Sequence, residues 1–266
     1  MSASSPKPVA LVTGASAGIG AIYAARLAER GYDLILVARR ADRLKALSDK
    51  LGAAHGTKVE VVEADLTKDA DVTRVEKVLK ENSAITLLVN NAGNSTLAPV
   101  AKTAEEDAAA MIALNVTALT RLTHAILPAF LSRNLGAIIN VASVLSFHAL
   151  PISAIYSGTK GYVMNFSRGL QQELAETNVR LQLVMPAATA TELWDLSGVP
   201  LASLNQATVM TSENLVDAAL AGFDKGEDIT LPSVADASLW DKFDQARSTL
   251  FAATQTGEPA PRYRAV

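Results

Sequence analysis

The 266-residue chain contains no cysteine. Disulfides, thiolate metal sites and cysteine nucleophiles are therefore excluded. Aromatic residues are scarce, at 5%. An excess of charge of one sign is also missing: 24 Lys and Arg face 27 Asp and Glu, a formal net of -3. Such a balance leaves no broad electrostatic footprint for nucleic acid. No uninterrupted apolar run reaches the ~20 residues of a membrane span. The opening MSASSPKP is short and polar, unlike a secretory leader. These absences lead to the expectation of a soluble, cytoplasmic protein without a nucleic-acid or membrane partner. What is present is 49% hydrophobic residues, enough for a full core, in a length that suits one large domain or two small ones.

Short apolar runs alternate with longer amphipathic ones. The runs predict strands over Val9 to Thr13, Leu34 to Ala38, Val59 to Glu63, Ile85 to Val89, Ala137 to Val141, Val179 to Val184 and, briefly, Ile229 to Leu231. Most are continuously apolar, as parallel strands covered on both faces are. Helical patterns lie between them: Ile19 to Arg30, Arg40 to Leu51, Asp69 to Glu81, Ala104 to Leu131, Ile155 to Thr177 and Ser212 to Lys225, with a last one over Ala235 to Ala253. Alternation of this kind implies right-handed βαβ units. The expected fold is α/β, a doubly wound three-layer sandwich with a mostly parallel seven-stranded sheet. No repeat or low-complexity linker interrupts the chain, so a single domain over 1–266 is expected, ending in the irregular tail GEPAPRYRAV.

The first strand runs directly into TGASAGIG, Thr13 to Gly20, and then a helix. Glycines allow a tight turn and close backbone approach to a pyrophosphate, and the helix start offers unpaired N–H groups and a positive dipole end. A tight strand-to-helix turn without a ligand is the plainer alternative; the position after the first strand of a doubly wound pattern favours dinucleotide binding. The spacing of Gly14, Gly18 and Gly20 resembles the TGxxxGIG fingerprint of the short-chain dehydrogenase/reductase family. Asp65 follows the third strand, Asn90-Asn91-Ala92-Gly93 ends the fourth, Asn115 lies in the long helix after it, Ser143 ends the fifth, and Tyr156 and Lys160 follow four residues apart. The resemblance runs in order over roughly residues 8 to 191.

The family resemblance implies a nicotinamide cofactor contacted by Gly14, Ser16, Gly18, Ile19, Gly20, Asp65, Leu66, Asn91, Ala92, Gly93, Tyr156, Lys160, Pro186, Thr189 and Thr191. The second strand, LILVARR, ends without the carboxylate that would bind the ribose hydroxyls of NAD. Arg39 and Arg40 can instead meet a 2′-phosphate, with Ser16 adding a hydrogen bond, so NADP(H) is expected. Arg39, nearest the strand end, is the better candidate, and Arg43 is expected to be solvated. The plainer alternative is that Arg39 and Arg40 are ordinary surface charges at a helix start; the charge argument favours the 2′-phosphate.

Residues four apart on a helix share a face, so Lys160 lies one turn beyond Tyr156. A cation near a phenol lowers its pKa from about 10, and a tyrosine tuned this way can exchange a proton near neutral pH. Ser143 can donate to a carbonyl oxygen as charge develops there. Asn115 is a poor helix former with an amide to place; the resemblance implies that it holds a water linking Lys160 to solvent. Singly, these residues read as a packing aromatic, a solvated lysine, a turn serine and a core amide. Together, behind a cofactor loop, they read as a catalytic set. The implied reaction is hydride transfer between the cofactor and a carbonyl or secondary alcohol.

After the sixth strand the family has Pro-Gly and then a threonine, whereas this chain reads PAATAT, with Ala187 at the glycine position. If that backbone required a positive φ, alanine would cost on the order of 1 kcal/mol. Substrate walls are expected from Asn94 to Leu97, from Val144 to Ser153 and from Glu192 to Leu196, with a loop or lid around 187–212. Leu145, Ile152, Leu193 and Trp194 are expected to form an apolar cleft, with Ser153 reaching the substrate. No arginine or lysine occurs in these stretches, which favours a neutral, largely apolar ketone or 3-oxoacyl-type substrate. His148 beside Ser143 raises a hydrolase alternative, but no G-x-S-x-G elbow surrounds the serine, and no metal site is expected. Oxidation of a hydroxy acid or an amino-acid alcohol, or cofactor binding without turnover, are the other readings. The long helices around Asn115 and Tyr156 carry many small and apolar residues, and the resemblance implies a homodimer or homotetramer.

Overall fold

The computed structural model describes residues 7–264; the opening of MSASSPKP and the last two residues of GEPAPRYRAV lie outside them. Contacts divide the chain into two compact units, one ending at Pro232 and one beginning at Ser233. The first unit holds every strand in chain order: β1 (Val9–Thr13), α1 (Gly18–Glu29), β2 (Asp33–Ala38), α2 (Ala41–His55), β3 (Val59–Glu63), α3 (Asp69–Glu81), β4 (Ile85–Asn90), α4 (Glu105–Ile112), α5 (Leu119–Arg133), β5 (Gly136–Val141), α6 (Ala154–Glu173), β6 (Val179–Val184), α7 (Leu193–Leu196), α8 (Ser212–Asp224) and β7 (Ile229–Thr230). The second unit carries α9 (Ser238–Ala253) and a single 3₁₀ turn over Pro261–Tyr263.

The seven strands form one sheet in the order β3-β2-β1-β4-β5-β6-β7. Every pairing among the described residues is parallel. Side chains alternate across the pleat, so each strand feeds two cores. Ala10, Val12, Leu34 and Leu36 pack against α1, α2 and α8, through Tyr23, Leu27, Leu44 and Leu220. Leu11, Ile35 and Val37 pack with α3, α5 and α6, through Val75, Ile126, Phe130 and Leu170. The chain leaves β1 in one direction to build β2 and β3, then crosses back to place β4 on the other side. That reversal opens a crevice at the carboxyl ends of β1 and β4, where open α/β sheets bind ligands.

The single long helix expected over Ala104 to Leu131 is present, and two features go beyond the sequence reading. The helix after β4 continues without a break from Glu105 to Arg133, through a π-helical turn over Ala113–Ala118. By length and composition alone this 29-residue helix, with mean hydropathy 1.3 in an 18-residue window, is apolar enough to cross a membrane. Its apolarity is spread over a face rather than collected in an uninterrupted run: Ala118, Leu122, Ala125, Ile126 and Phe130 are buried beneath the sheet. The second feature is β3, which lies at the sheet edge and leaves Glu60, Val61 and Glu63 exposed.

Candidate active site

The glycine loop is held by steric and hydrogen-bond constraints that meet at the end of β4. Gly14 has φ +68°, and a Cβ there would sit 2.8 Å from Asn91 Nδ2 and 2.9 Å from Ala92 Cα. A Cβ on Gly20 would fall 2.3 Å from the Gly14 carbonyl oxygen. Both positions therefore exclude any larger residue. Thr13 staples the two segments. Its hydroxyl donates to Val89 O (3.1 Å) and accepts the backbone N–H groups of Asn91 and Ala92, each at 3.0 Å. The Asn91 amide donates back to Thr13 O at 2.9 Å. Thr13 carries no recognisable signal in the sequence beyond its place before the first glycine. Behind it, buried Asn90 donates to Thr123 Oγ1 (3.0 Å) and Asn140 Oδ1 (2.9 Å), and Asn140 donates to Ser167 Oγ (2.9 Å). This chain of side chains ties β4 and β5 to the helices below.

A cleft of about 440 Å³ runs along the carboxyl ends of the strands, within the range of small-molecule sites. At one end it is lined by Gly14, Ser16, Gly18, Ile19, Arg39, Arg40, Asp65 and Leu66. Asn91, Ala92 and Gly93 form its floor, and Tyr156, Lys160, Pro186, Thr189 and Thr191 stand at the far side. Gly20 does not line it but lies beneath, where it lets the loop close. The Asp65 carboxylate accepts Thr67 N–H and hydroxyl bonds at 3.0 and 2.8 Å, which fixes the turn after β3.

The arginines do not behave as the sequence suggests. Arg40, rather than Arg39, engages Ser16, with Nε and Nη2 donating to Ser16 Oγ at 3.2 and 3.1 Å. Arg43 is not merely solvated: its Nη1 donates to Glu192 Oε1 at 2.6 Å, while Arg40 Nη1 donates to Glu192 Oε2 at 2.8 Å. The reason is the direction of α2. Arg40 and Arg43, three apart, share a helical face turned toward the segment after β6, which brings Glu192 to them.

At the other end of the cleft, Ser143 and Tyr156 face each other closely enough for the serine to stabilise the phenolate. Burial outweighs this and pushes the Tyr156 phenol up to about 12. Lys160 is buried, donates to Val141 O at 2.9 Å, and stands 5.8 Å from the centre of the Tyr156 ring. Burial pushes its ammonium down to about 8. The lysine therefore does not pull the phenol below its ordinary value in the cofactor-free protein, contrary to the sequence expectation, because desolvation acts on both groups. The tyrosine is held as a protonated acid.

Asn115 lies in the π-helical turn, a local widening of the helix that frequently marks functional sites. It is fully buried and does not line the cleft. Its amide donates to Asn94 O (2.9 Å) and Thr159 Oγ1 (3.0 Å), and its Oδ1 accepts the Asn94 N–H at 3.0 Å. A Cβ on Gly93 would lie 3.2 Å from Asn115 Oδ1 and 3.5 Å from Lys160 Nζ, so Gly93 opens the space between them. Thr159 donates to Tyr156 O at 2.7 Å; it belongs to the same network and was not legible in the sequence.

The substrate walls agree in part. Leu145, Leu193 and Trp194 line the cleft, joined by Leu97, Leu114, Leu150 and Leu196. Ile152 is not among the lining residues. Ser153 does not reach the cleft either: it is 1% exposed, its hydroxyl accepts Leu150 N–H at 2.8 Å, and it pairs with Ser157 Oγ at 2.8 Å. The hydroxyl is consumed in closing the turn that enters α6, a local bond that sequence spacing cannot distinguish from a ligand contact. That turn presents Leu150 in place of Ile152. Trp194 is anchored by its indole N–H to Thr189 O at 2.8 Å, and Leu97 N–H donates to Ser197 O at 2.8 Å, so the wall segments before and after the nicotinamide end are tied together. Ala187 carries no strain: among the described non-glycine residues only Asn134 has a positive φ. His148 is exposed and outside the cleft lining.

Comparison with known proteins supplies the identity. The family model for short chain dehydrogenase matches residues 8–198. A very-long-chain 3-oxoacyl-CoA reductase of Pyrenophora tritici-repentis is 35% identical over 190 residues, 69% of this chain and 55% of that protein. Human 17-beta-hydroxysteroid dehydrogenase type 3 is 32% identical over 186 residues, 69% of this chain and 60% of that protein. This chain thus spans little more than half the length of these two relatives. Among solved structures, a short-chain dehydrogenase from Sphingobium yanoikuyae in complex with NADPH superposes with a TM-score of 0.94 at 44% identity, over 97% of this chain and 100% of that one. A bulky-bulky ketone specific alcohol dehydrogenase from Comamonas testosteroni gives a TM-score of 0.90 at 37% identity, over 98% of this chain and 100% of that one. With the family model matching residues 8–198 and the whole fold in common with these structures, the chain belongs to the short-chain dehydrogenase/reductase family of oxidoreductases.

Proposed function

We propose that this protein is an NADPH-dependent carbonyl reductase for neutral, largely apolar ketones, including 3-oxoacyl-type compounds. The observation that carries this reading is the continuity of the cleft. One end presents the glycine loop and the Arg40–Ser16 pair, the other a protonated tyrosine between a serine and a buried lysine. The residues fit a phosphorylated dinucleotide. Gly14 and Gly20 leave room for close backbone approach, the N-terminus of α1 faces the same loop, and the second strand supplies guanidinium rather than carboxylate.

When bound, NADPH supplies the hydride to the carbonyl carbon. Ser143 orients and polarises the carbonyl oxygen, and Tyr156 transfers its proton to that oxygen. Lys160 stabilises the tyrosinate left behind and holds the ribose next to the nicotinamide. Asn115, by fixing the Asn94 backbone beside Lys160, positions the path by which the proton is replaced. Burial keeps the Tyr156 phenol protonated at neutral pH, so its proton is in place for transfer to a carbonyl oxygen. Leucines and Trp194 set the substrate class by burying apolar surface, at about 25 cal/mol per Å². The NADPH complex and the ketone-specific enzyme among the structural relatives support the same reading. It includes a cytoplasmic homodimer or homotetramer; exposed Ile112 on α4 and the Tyr162–Phe166 stack on α6 support pairing of those helices, and light scattering tests it.

The test is oxidation of NADPH by the purified protein with bulky apolar ketones, 3-oxo esters and aldehydes, with NADH as control. Turnover that prefers NADPH and favours bulky ketones is the expected result. Equal or better use of NADH, or turnover confined to charged substrates, overturns it.

A further inference from the structure

The strand β2 ends without a carboxylate, yet one stands there in the folded protein. Glu192 reaches it from the other side of the cleft. Its two oxygens accept from two different arginines, Arg40 at 2.8 Å and Arg43 at 2.6 Å. The guanidiniums hold the Glu192 carboxyl below its ordinary range, so it is ionised throughout the neutral range. Arg40 also donates to Ser16 through Nε and Nη2. Between 40% and 51% of the three side chains is exposed, so an incoming ligand can reach all of them. The carboxylate is also held in place along its own chain. The preceding residue, Thr191, lies so close over the glycine loop that a Cβ on Gly18 would stand 3.1 Å from its methyl group.

A planar guanidinium has a limited fork of donors. Arg40 cannot offer the same Nη1 face to Glu192 and to a phosphate. A phosphate monoester carries more negative charge than a carboxylate near neutral pH and takes bidentate arginine bonds well. A ribose hydroxyl makes no such demand.

We propose that Glu192 is a cofactor-selectivity residue: an internal stand-in for the cofactor's 2′-phosphate that competes with it for Arg40 and Arg43. It sets how strongly the arginines discriminate NADPH from NADH. NADPH binds by displacing it; NADH leaves it in place. This rests on the reading of the cleft as an NADP(H) site.

The experiment measures dissociation constants of NADPH and NADH by cofactor fluorescence, and of adenosine 2′-monophosphate by calorimetry, for the native chain, Glu192→Gln and Arg40→Gln. Glu192→Gln removes two exposed ion pairs, and it is expected to tighten NADPH and adenosine 2′-monophosphate about three- to tenfold while moving NADH less than about twofold. Three results overturn the proposal: weaker NADPH binding in Glu192→Gln, an equal change for NADPH and NADH, or no change in either. Arg40→Gln separates this failure from a failure of the underlying site. If the native chain does not prefer NADPH, or Arg40→Gln leaves its preference intact, the phosphate site itself is wrong. If Arg40→Gln erases the preference and Glu192→Gln does not raise it, only the role of Glu192 falls.

Discussion

The glycine loop and the segment after β6 face each other across one cleft but are built by different means. The loop is fixed by backbone: a positive φ at Gly14, a carbonyl against Gly20, and a threonine hydroxyl bonded to three backbone groups. The opposite segment is anchored to backbone at Ala188, Ala190 and Ser197, but between those points it is held by side chains: Glu192 on two arginines, the Trp194 indole on a carbonyl, and leucines whose outer faces meet solvent, with Leu196 73% exposed. Backbone constraints admit almost no substitution, while surface contacts admit many. One half of the cleft therefore tolerates little change, and the other can be altered to change what the cleft accepts.

The comparison can be tested from its strongest point. Tyr156→Phe removes the proton donor and leaves both walls in place; kcat/KM for ketone reduction should fall by about 10² to 10⁴. The pH profile comes next. Lys160 is charged below its lowered pKa of about 8 and neutral above it, so kcat/KM should be level below that value and fall up to about tenfold per pH unit above it. Lys160→Arg, which stays charged, should remove that fall whatever it does to the absolute rate. An inflection that persists in the arginine variant would assign it to another group.

Gly20→Ala forces a Cβ against a carbonyl oxygen 2.3 Å away. Overpacking of this kind costs about 1–3 kcal/mol, and the melting temperature should fall by roughly 3–10 °C. Leu196→Ala, on the opposite wall, should leave the melting temperature within about 1 °C, since its side chain is mostly exposed, yet raise KM for bulky ketones several-fold, about 1 kcal/mol. Equal thermal effects from these two variants would break the contrast. The smallest effect belongs to Ala187→Gly. Its backbone is not left-handed, so glycine relieves nothing and only loosens the unfolded chain, lowering stability by about 0.4–1 kcal/mol. A gain in stability would show strain that the backbone angles do not.

The order of strands and helices was legible because burial on both faces of a parallel sheet writes continuous apolar runs. The observed limits of β1, β3 and β6 coincide with the expected ones, although β3, at the sheet edge, is neither continuously apolar nor covered on both faces. The chemical set was legible for a related reason: Gly14, Ser143, Tyr156 and Lys160 sit where strands end and helices begin, so their places follow from the elements themselves. Through-space relations were not legible. Ser153 and Ile152 were expected in the cleft, but a turn closes on the serine hydroxyl and presents Leu150 instead. The tuning of Tyr156 was expected from charge alone, whereas burial dominates it. Arg43 and Glu192 are 149 residues apart, and nothing local marks them as partners. The sequence by itself determined the layered α/β fold, the glycine loop after β1 and the set of residues proposed to react, because each depends on local spacing and periodicity. Only the tertiary structure decided which side chains are consumed by other bonds, how burial moves their protons, and that a carboxylate from the far wall occupies the arginines at the end of β2. Those properties depend on neighbours that the fold, and not the chain order, brings together.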